Sequence, residues 1–134
     1  MIREYLTALV AFCALDGLWL GVISPSFYRA EIGHLMREQP DFGAAVAFYL
    51  LFLWGLQRFV LRPTRAAPLG VTAREAFAFG VVTYATFDLT CVAVLKGFPY
   101  RVALVDMLWG GLLSLGVSVA TRLLSPRAGE ERAP

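Results

Sequence analysis

The chain has 134 residues, 58% of them hydrophobic and 16% charged, with a formal net charge of +2. Its mean hydropathy of +0.64 exceeds that of an ordinary soluble domain and points to the membrane. The length supports one domain. The charge is too small for nucleic-acid binding, and the arginines sit at segment ends, where topology explains them. His34 is the sole histidine and the two cysteines, Cys13 and Cys91, each lie in an apolar run without ligand spacing. A multi-histidine zinc or haem site is therefore excluded, no cofactor or metal is expected, and buried free thiols are favoured over a disulfide.

The first apolar run, Tyr5 to Ile23, is long enough to span a bilayer and has no small-x-small cleavage pattern before Pro25. It reads as a retained helix rather than a signal peptide. Cys13, Gly17 and Gly21 recur every fourth residue and predict a smooth stripe for another helix. From Ser24 to Pro40, Phe27, Tyr28, Ile32, Leu35 and Met36 alternate with charged residues. This pattern predicts a short amphipathic surface helix, an ordinary polar connection being the plainer alternative, with His34 on the surface.

The second span runs from Asp41 to Leu61, with Asp41 as its N-cap and Gly43 and Ala47 as a small face. Tyr49 and Trp54 suit either the bundle or lipid. A basic, proline-containing loop follows. Thr72 and Glu75 match a capping box for a third span from about Arg74 to Leu95. That span is the most polar, carrying Thr83, Tyr84, Thr86, Asp88, Thr90 and Cys91. The short connection Lys96–Arg101 makes the third and fourth spans antiparallel neighbours. In the fourth, Val102 to Arg122, a stripe of Gly110, Ser114 and Ser118 continues from Asp106. The expected organisation is a four-span domain over residues 1–124 and a mobile polar tail over 125–134. The fold class is an all-α integral membrane protein, a four-helix bundle.

Four spans put both termini on one side with eight Lys or Arg residues, against four on the other. That bias predicts cytoplasmic termini in a bacterial inner membrane. At about 1.5 Å rise per residue, Asp16 and Asp88 lie about 10 Å and Asp106 about 6 Å inside the opposite face. All three then share one level of a core roughly 30 Å thick. Each carboxylate costs on the order of 2.5–3.5 kcal/mol at mid-membrane, so the three should face the bundle interior or water. Neighbouring carboxylates there repel unless a proton is shared. Lys96 and Arg101 are the nearest cations, while Trp19, Trp109, Tyr84, Thr83, Thr86 and Thr90 offer donors.

Asp16-Gly-Leu-Trp-Leu-Gly21 and Asp106-Met-Leu-Trp-Gly-Gly111 both fit Asp-x-Leu-Trp-x-Gly. On oppositely directed helices such an echo reads as an inverted repeat with a site between its halves, or as a shared packing need.

These two motifs, together with Thr83-Tyr-Ala-Thr-Phe-Asp-Leu-Thr90 and the Leu95-Lys96 end, resemble a family of small four-span bacterial membrane proteins catalogued as a domain of unknown function. The resemblance covers nearly the whole chain apart from the tail. Phe87-Asp88 and Thr90-Cys91 stand where that family shows Tyr-Asp and Thr-Asn. The likeness implies the fold and the weight of the Asp and Trp positions, and no activity.

The expected ligand-binding residues are Asp16, Asp88, Asp106, Trp19, Trp109, Tyr84, Thr83 and Thr90, suited to a small polar or cationic solute whose transport would be proton-linked. The expected partners are the lipid bilayer, that solute and further copies of the chain. Two other classes stand beside this reading. In one the acids are interhelical glue in a structural or accessory protein; in the other two carboxylates do acid–base work on a lipid-like substrate.

Overall fold

The computed structural model describes residues 2–125. Helix α1 (Ile2–Leu18) continues through a π-helical turn, Trp19–Ile23. A short helix α2 (Pro25–Ile32) and a 3-10 turn, Gly33–Leu35, lead to α3 (Phe42–Leu56), which ends in a second π-helical turn, Gln57–Leu61. Helices α4 (Leu69–Val94) and α5 (Tyr100–Leu124) complete the fold. The four long helices, α1 and α3 taken with their π-turns, have the length and hydropathy of membrane spans. Large apolar side chains such as Val10, Leu51, Val82, Phe87 and Leu104 point outward, as expected where lipid is the solvent. The predicted tail lies, past Ser125, outside the described residues.

The bundle is built on α4 and α5, the most extensively packed pair. A Cβ on Gly80 would sit 2.0 Å from the Gly110 carbonyl oxygen, so the two backbones touch through glycine. The stripe of Gly110, Ser114 and Ser118 is buried in this interface, as its spacing predicts. The α4–α5 turn is as tight as expected and needs Gly97 at φ 81°. Helix α1 packs on α5 and α3, around a core of Phe12, Phe52, Leu53, Leu56 and Leu113. Helix α3 meets α4 mainly through its final π-turn, so the two diverge toward the other end.

Three local expectations are overturned. The stripe Cys13, Gly17 and Gly21 faces outward, and Gly17 and Gly21 have nothing within 4 Å of an added Cβ. The packed face of α1 is instead Ala8, Phe12 and Asp16. Gly43 and Ala47 are likewise exposed; α3 buries its second half through Phe52, Leu53 and Leu56. Thr72 does not cap α4. The helix starts at Leu69 behind Pro68, and the Thr72 N–H already bonds the Pro68 carbonyl. Asp41 does cap α3, accepting from the Ala44 N–H at 3.0 Å. A helix does form in the first connection, at Pro25–Ile32.

The end of the bundle that holds Ile2 and Leu124 is tied by polar contacts. Arg122 donates to the Thr64 carbonyl at 2.9 Å, the Ala67 carbonyl at 3.1 Å and Thr72 Oγ1 at 2.6 Å. Glu4 pairs with Arg65 at 2.8 Å and accepts from Gln57 at 3.2 Å. Thr7 and Ser125 share a hydrogen bond of 2.9 Å. Arg122→Ala should loosen the α3–α4 loop and cost about 1–3 kcal/mol for the lost charged donor. Thermal melting in detergent, with protease cleavage of residues 62–68 as a local readout, measures this. Lysine should rescue only partly, because it lacks the planar fork.

Candidate functional site

The three intramembrane aspartates converge at the opposite end, at the common level their positions predict. Each has a different set of partners. Asp16 is buried and saturated with donors: the Tyr49 hydroxyl bonds one carboxylate oxygen and the Trp109 indole N–H the other, at 3.2 Å. Asp106 is half-buried and accepts from the Tyr28 hydroxyl. Tyr28 in turn accepts from the Trp19 indole N–H at 3.1 Å. Asp88 is fully buried, and no protein donor reaches either of its oxygens. Its polar neighbour is the Asp106 carboxyl. Like charges facing each other in a low dielectric repel, and none of the ion pairs Arg37–Asp41, Arg65–Glu4, Arg74–Glu75 and Arg101–Glu31 brings a basic side chain to either acid.

The repeated motif explains the aromatic half of the site. The Trp19 and Trp109 rings stack 4.6 Å apart with planes 10° from parallel. Because α1 and α5 run in opposite directions, the two Asp-x-x-Trp segments face each other head to tail. Trp109 bonds the acid of the other motif directly, whereas Trp19 reaches Asp106 through Tyr28. Each acid also receives one tyrosine hydroxyl, Tyr49 for Asp16 and Tyr28 for Asp106. The final glycines break the correspondence, since Gly111 packs against Phe77 and Val81 while Gly21 touches nothing. The π-helical turn at Trp19–Ile23, closed by Ser24 onto the Trp19 carbonyl at 2.8 Å, falls at this junction. Such turns recur at functional sites.

Two hollows meet here. One of about 390 Å³ is lined by Asp16, Trp19, Tyr28, Tyr49, Tyr84, Asp106 and Trp109 among others. The second, about 310 Å³, lies between Phe48, Phe52, Thr83, Tyr84, Phe87 and Asp106. Tyr84 is wedged against Gly110, where an added Cβ would lie 2.4 Å from its ring. A larger hollow, about 570 Å³, runs along the outer face of α1 from Ile2 to Ala14 and is lined by none of the three acids, with Arg3 as its single charged wall residue.

Of the sequence candidates, Asp16, Asp106, Trp19, Trp109 and Tyr84 come together around the first hollow. Asp88 stands behind Asp106, and Thr83 borders the second hollow while its hydroxyl donates to the backbone at Phe79 and Gly80. Thr90 and Thr86 are not part of the site: both are exposed and donate to the preceding turn of α4. Arg101 does not reach inward either. It pairs with Glu31 at 3.1 Å and tethers α2 to the start of α5; the exposed arginine makes this a weak tie. Lys96 is exposed. The four ion pairs of the described residues, Arg37–Asp41, Arg65–Glu4, Arg74–Glu75 and Arg101–Glu31, leave out all three aspartates. Among the described residues no group of three or more His, Cys, Asp or Glu is placed to hold a metal ion. Cys13 and Cys91 are both free, the first exposed and the second buried.

Tyr28 is the residue that the sequence reading misplaced. It belongs to a non-spanning segment and was expected at the membrane surface, yet its hydroxyl enters the site. Burial, and next the Asp106 bond, raise its pKa above the usual tyrosine value, so it remains a donor at any physiological pH. Tyr28→Phe should release α2 and cost roughly 1–2 kcal/mol for the lost hydroxyl. Faster amide exchange confined to residues 25–35 is the expected signature.

The fold and the site define a class: a four-span all-α membrane protein with an acidic and aromatic core near one end. The chain belongs to the family described as "Predicted membrane protein (DUF2177)", whose model matches residues 1–123. No curated protein and no solved structure matches it.

Proposed function

We propose that the protein binds a small organic cation at Asp106, within an aromatic cage, and exchanges it for a proton. The observation that carries this reading is the position of Asp106. It lines both hollows, lacks a basic partner and backs onto a buried carboxyl without donors. An ammonium group would supply the missing positive charge, and Trp19, Trp109 and Tyr84 would present π-faces to it. Asp16 has another role in this reading. Its donors are already in place, so it holds Tyr49 and Trp109 as walls of the cage. The charge bias of the loops favours a bacterial inner membrane with both termini in the cytoplasm, which opens the site toward the outer side.

Titration of n-butylammonium into protein in lipid nanodiscs, followed by tryptophan fluorescence, tests the proposal. Wild type should bind, and more weakly as pH falls, because protons compete for the same carboxylates. Asp106→Asn should weaken binding about tenfold or more, the cost of removing a charged partner of 1.4 kcal/mol or above. Thr90→Val, on the outer face of α4, should leave it unchanged. Equal affinity of wild type and Asp106→Asn would remove Asp106 from the site and end the proposal.

A further inference from the structure

The second hollow has a mouth, and the mouth is in the wrong place for a solute arriving from water. Its walls are Phe48 on α3 and Phe87 on α4, which are 43% and 63% exposed on the outer surface of the bundle. Phe87 lies seven residues before the end of α4 and Phe48 six residues after the start of α3. At about 1.5 Å per residue both are about 10 Å inside the hydrocarbon. The gap exists because α3 and α4 diverge. Phe52 and Gly55 close on Phe79 below it, with the Phe52 and Phe79 rings 5.5 Å apart. Above that floor the helices part, and at the back of the gap stands one carboxylate, Asp106 of α5.

We infer that this gap is a lateral entry from the bilayer for a single-chain amphiphilic amine, whose ammonium reaches Asp106 while its alkyl chain lies between Phe48 and Phe87. The inference rests on the cation site at Asp106 and adds the ligand's apolar part and its route. Charge complementarity sets the head: one carboxylate, with no basic residue paired to it, at the end of an otherwise apolar slot. The slot's depth sets the tail. A group held about 10 Å below the interface must carry its own hydrocarbon or leave lipid-exposed space unfilled. Tyr84 and Phe48 separate this slot from the caged hollow and border both, with Asp106 common to the two. One head group can therefore pass from slot to cage without leaving that carboxylate.

The test is photolabelling in nanodiscs with a dodecylamine bearing a diazirine in its chain, beside a dodecanoic acid bearing the same group. Peptide mapping should show the amine enriched about fivefold or more over the acid on peptides containing Phe48 and Thr83–Phe87. Excess n-butylammonium should abolish the enrichment, and so should Asp106→Asn. Phe87→Ala, which removes one wall of the slot and no wall of the caged hollow, should reduce it at least twofold while leaving n-butylammonium binding intact. Labelling by amine and acid in equal measure, or spread evenly over all lipid-facing helices, would overturn the lateral entry. If n-butylammonium still binds in that case, the cation site stands without it; if n-butylammonium fails to bind wild type, both fall together.

Discussion

Replacing Gly80 with alanine is expected to separate α4 from α5 and destabilise the protein by about 3 kcal/mol, the upper part of the range for overpacking. The added Cβ would lie 2.0 Å from the Gly110 carbonyl oxygen, 2.5 Å from its carbon and 2.5 Å from Ser114 Oγ. Backbone atoms cannot rotate away as a side-chain tip can, so relief requires the helices to move apart. That movement also shifts Tyr84, which is seated against Gly110, and so reaches the site. A large drop in Tm in detergent, with weakened n-butylammonium binding, is the expected result. Gly17→Ala serves as the contrast: nothing lies within 4 Å of the new methyl, and alanine favours the helix. An equal loss in both variants would contradict the close approach at Gly80.

The second large effect belongs to Asp16. Asp16→Ala leaves the Tyr49 hydroxyl and the Trp109 indole N–H without their acceptor in a partly buried place. Each stranded donor costs about 1–3 kcal/mol, so a combined loss of about 3 kcal/mol is expected. Asp16→Asn keeps one acceptor oxygen and should lose less. Asp88→Asn should go the other way, holding or raising Tm, because neither Asp88 oxygen receives a protein donor and the amide removes a carboxyl facing Asp106. The comparison separates glue from site. Melting the three variants at one pH measures it, and a strongly destabilised Asp88→Asn would assign that acid to holding helices together.

How far the sequence carried depended on which physical signal each feature leaves. Spans and their rough ends follow from hydropathy, and the common depth of Asp16, Asp88 and Asp106 follows from rise per residue. The facing Asp-x-x-Trp segments were legible because the motif appears twice. Thr90 was legible too and was misjudged: two residues from Asp88, it lies on nearly the opposite side of the helix. The outward turn of Cys13, Gly17 and Gly21 leaves no such signal. Small residues mark where helices can approach closely, not which face finds a partner, and here Ala8, Phe12 and Asp16 found it. Tyr28 was hidden for another reason. Its place depends on Ser24 closing the π-turn and on Glu31 meeting Arg101, tertiary facts that no periodicity carries.

The arginine near the end of α5 has a consequence for how the chain is made. Arg122 binds groups at Thr64, Ala67 and Thr72, which leave the ribosome at least 50 residues before it. Until the last span has been released into the bilayer, the link between the second and third spans lacks these three bonds, though Arg65 can already pair with Glu4 of the first span. The three earlier spans can insert in order, but the link is not yet tied to the fourth. Assembly is completed by the final helical turn, so a chain stopped short of residue 122 would hold all three aspartates inside a bundle that has never been closed.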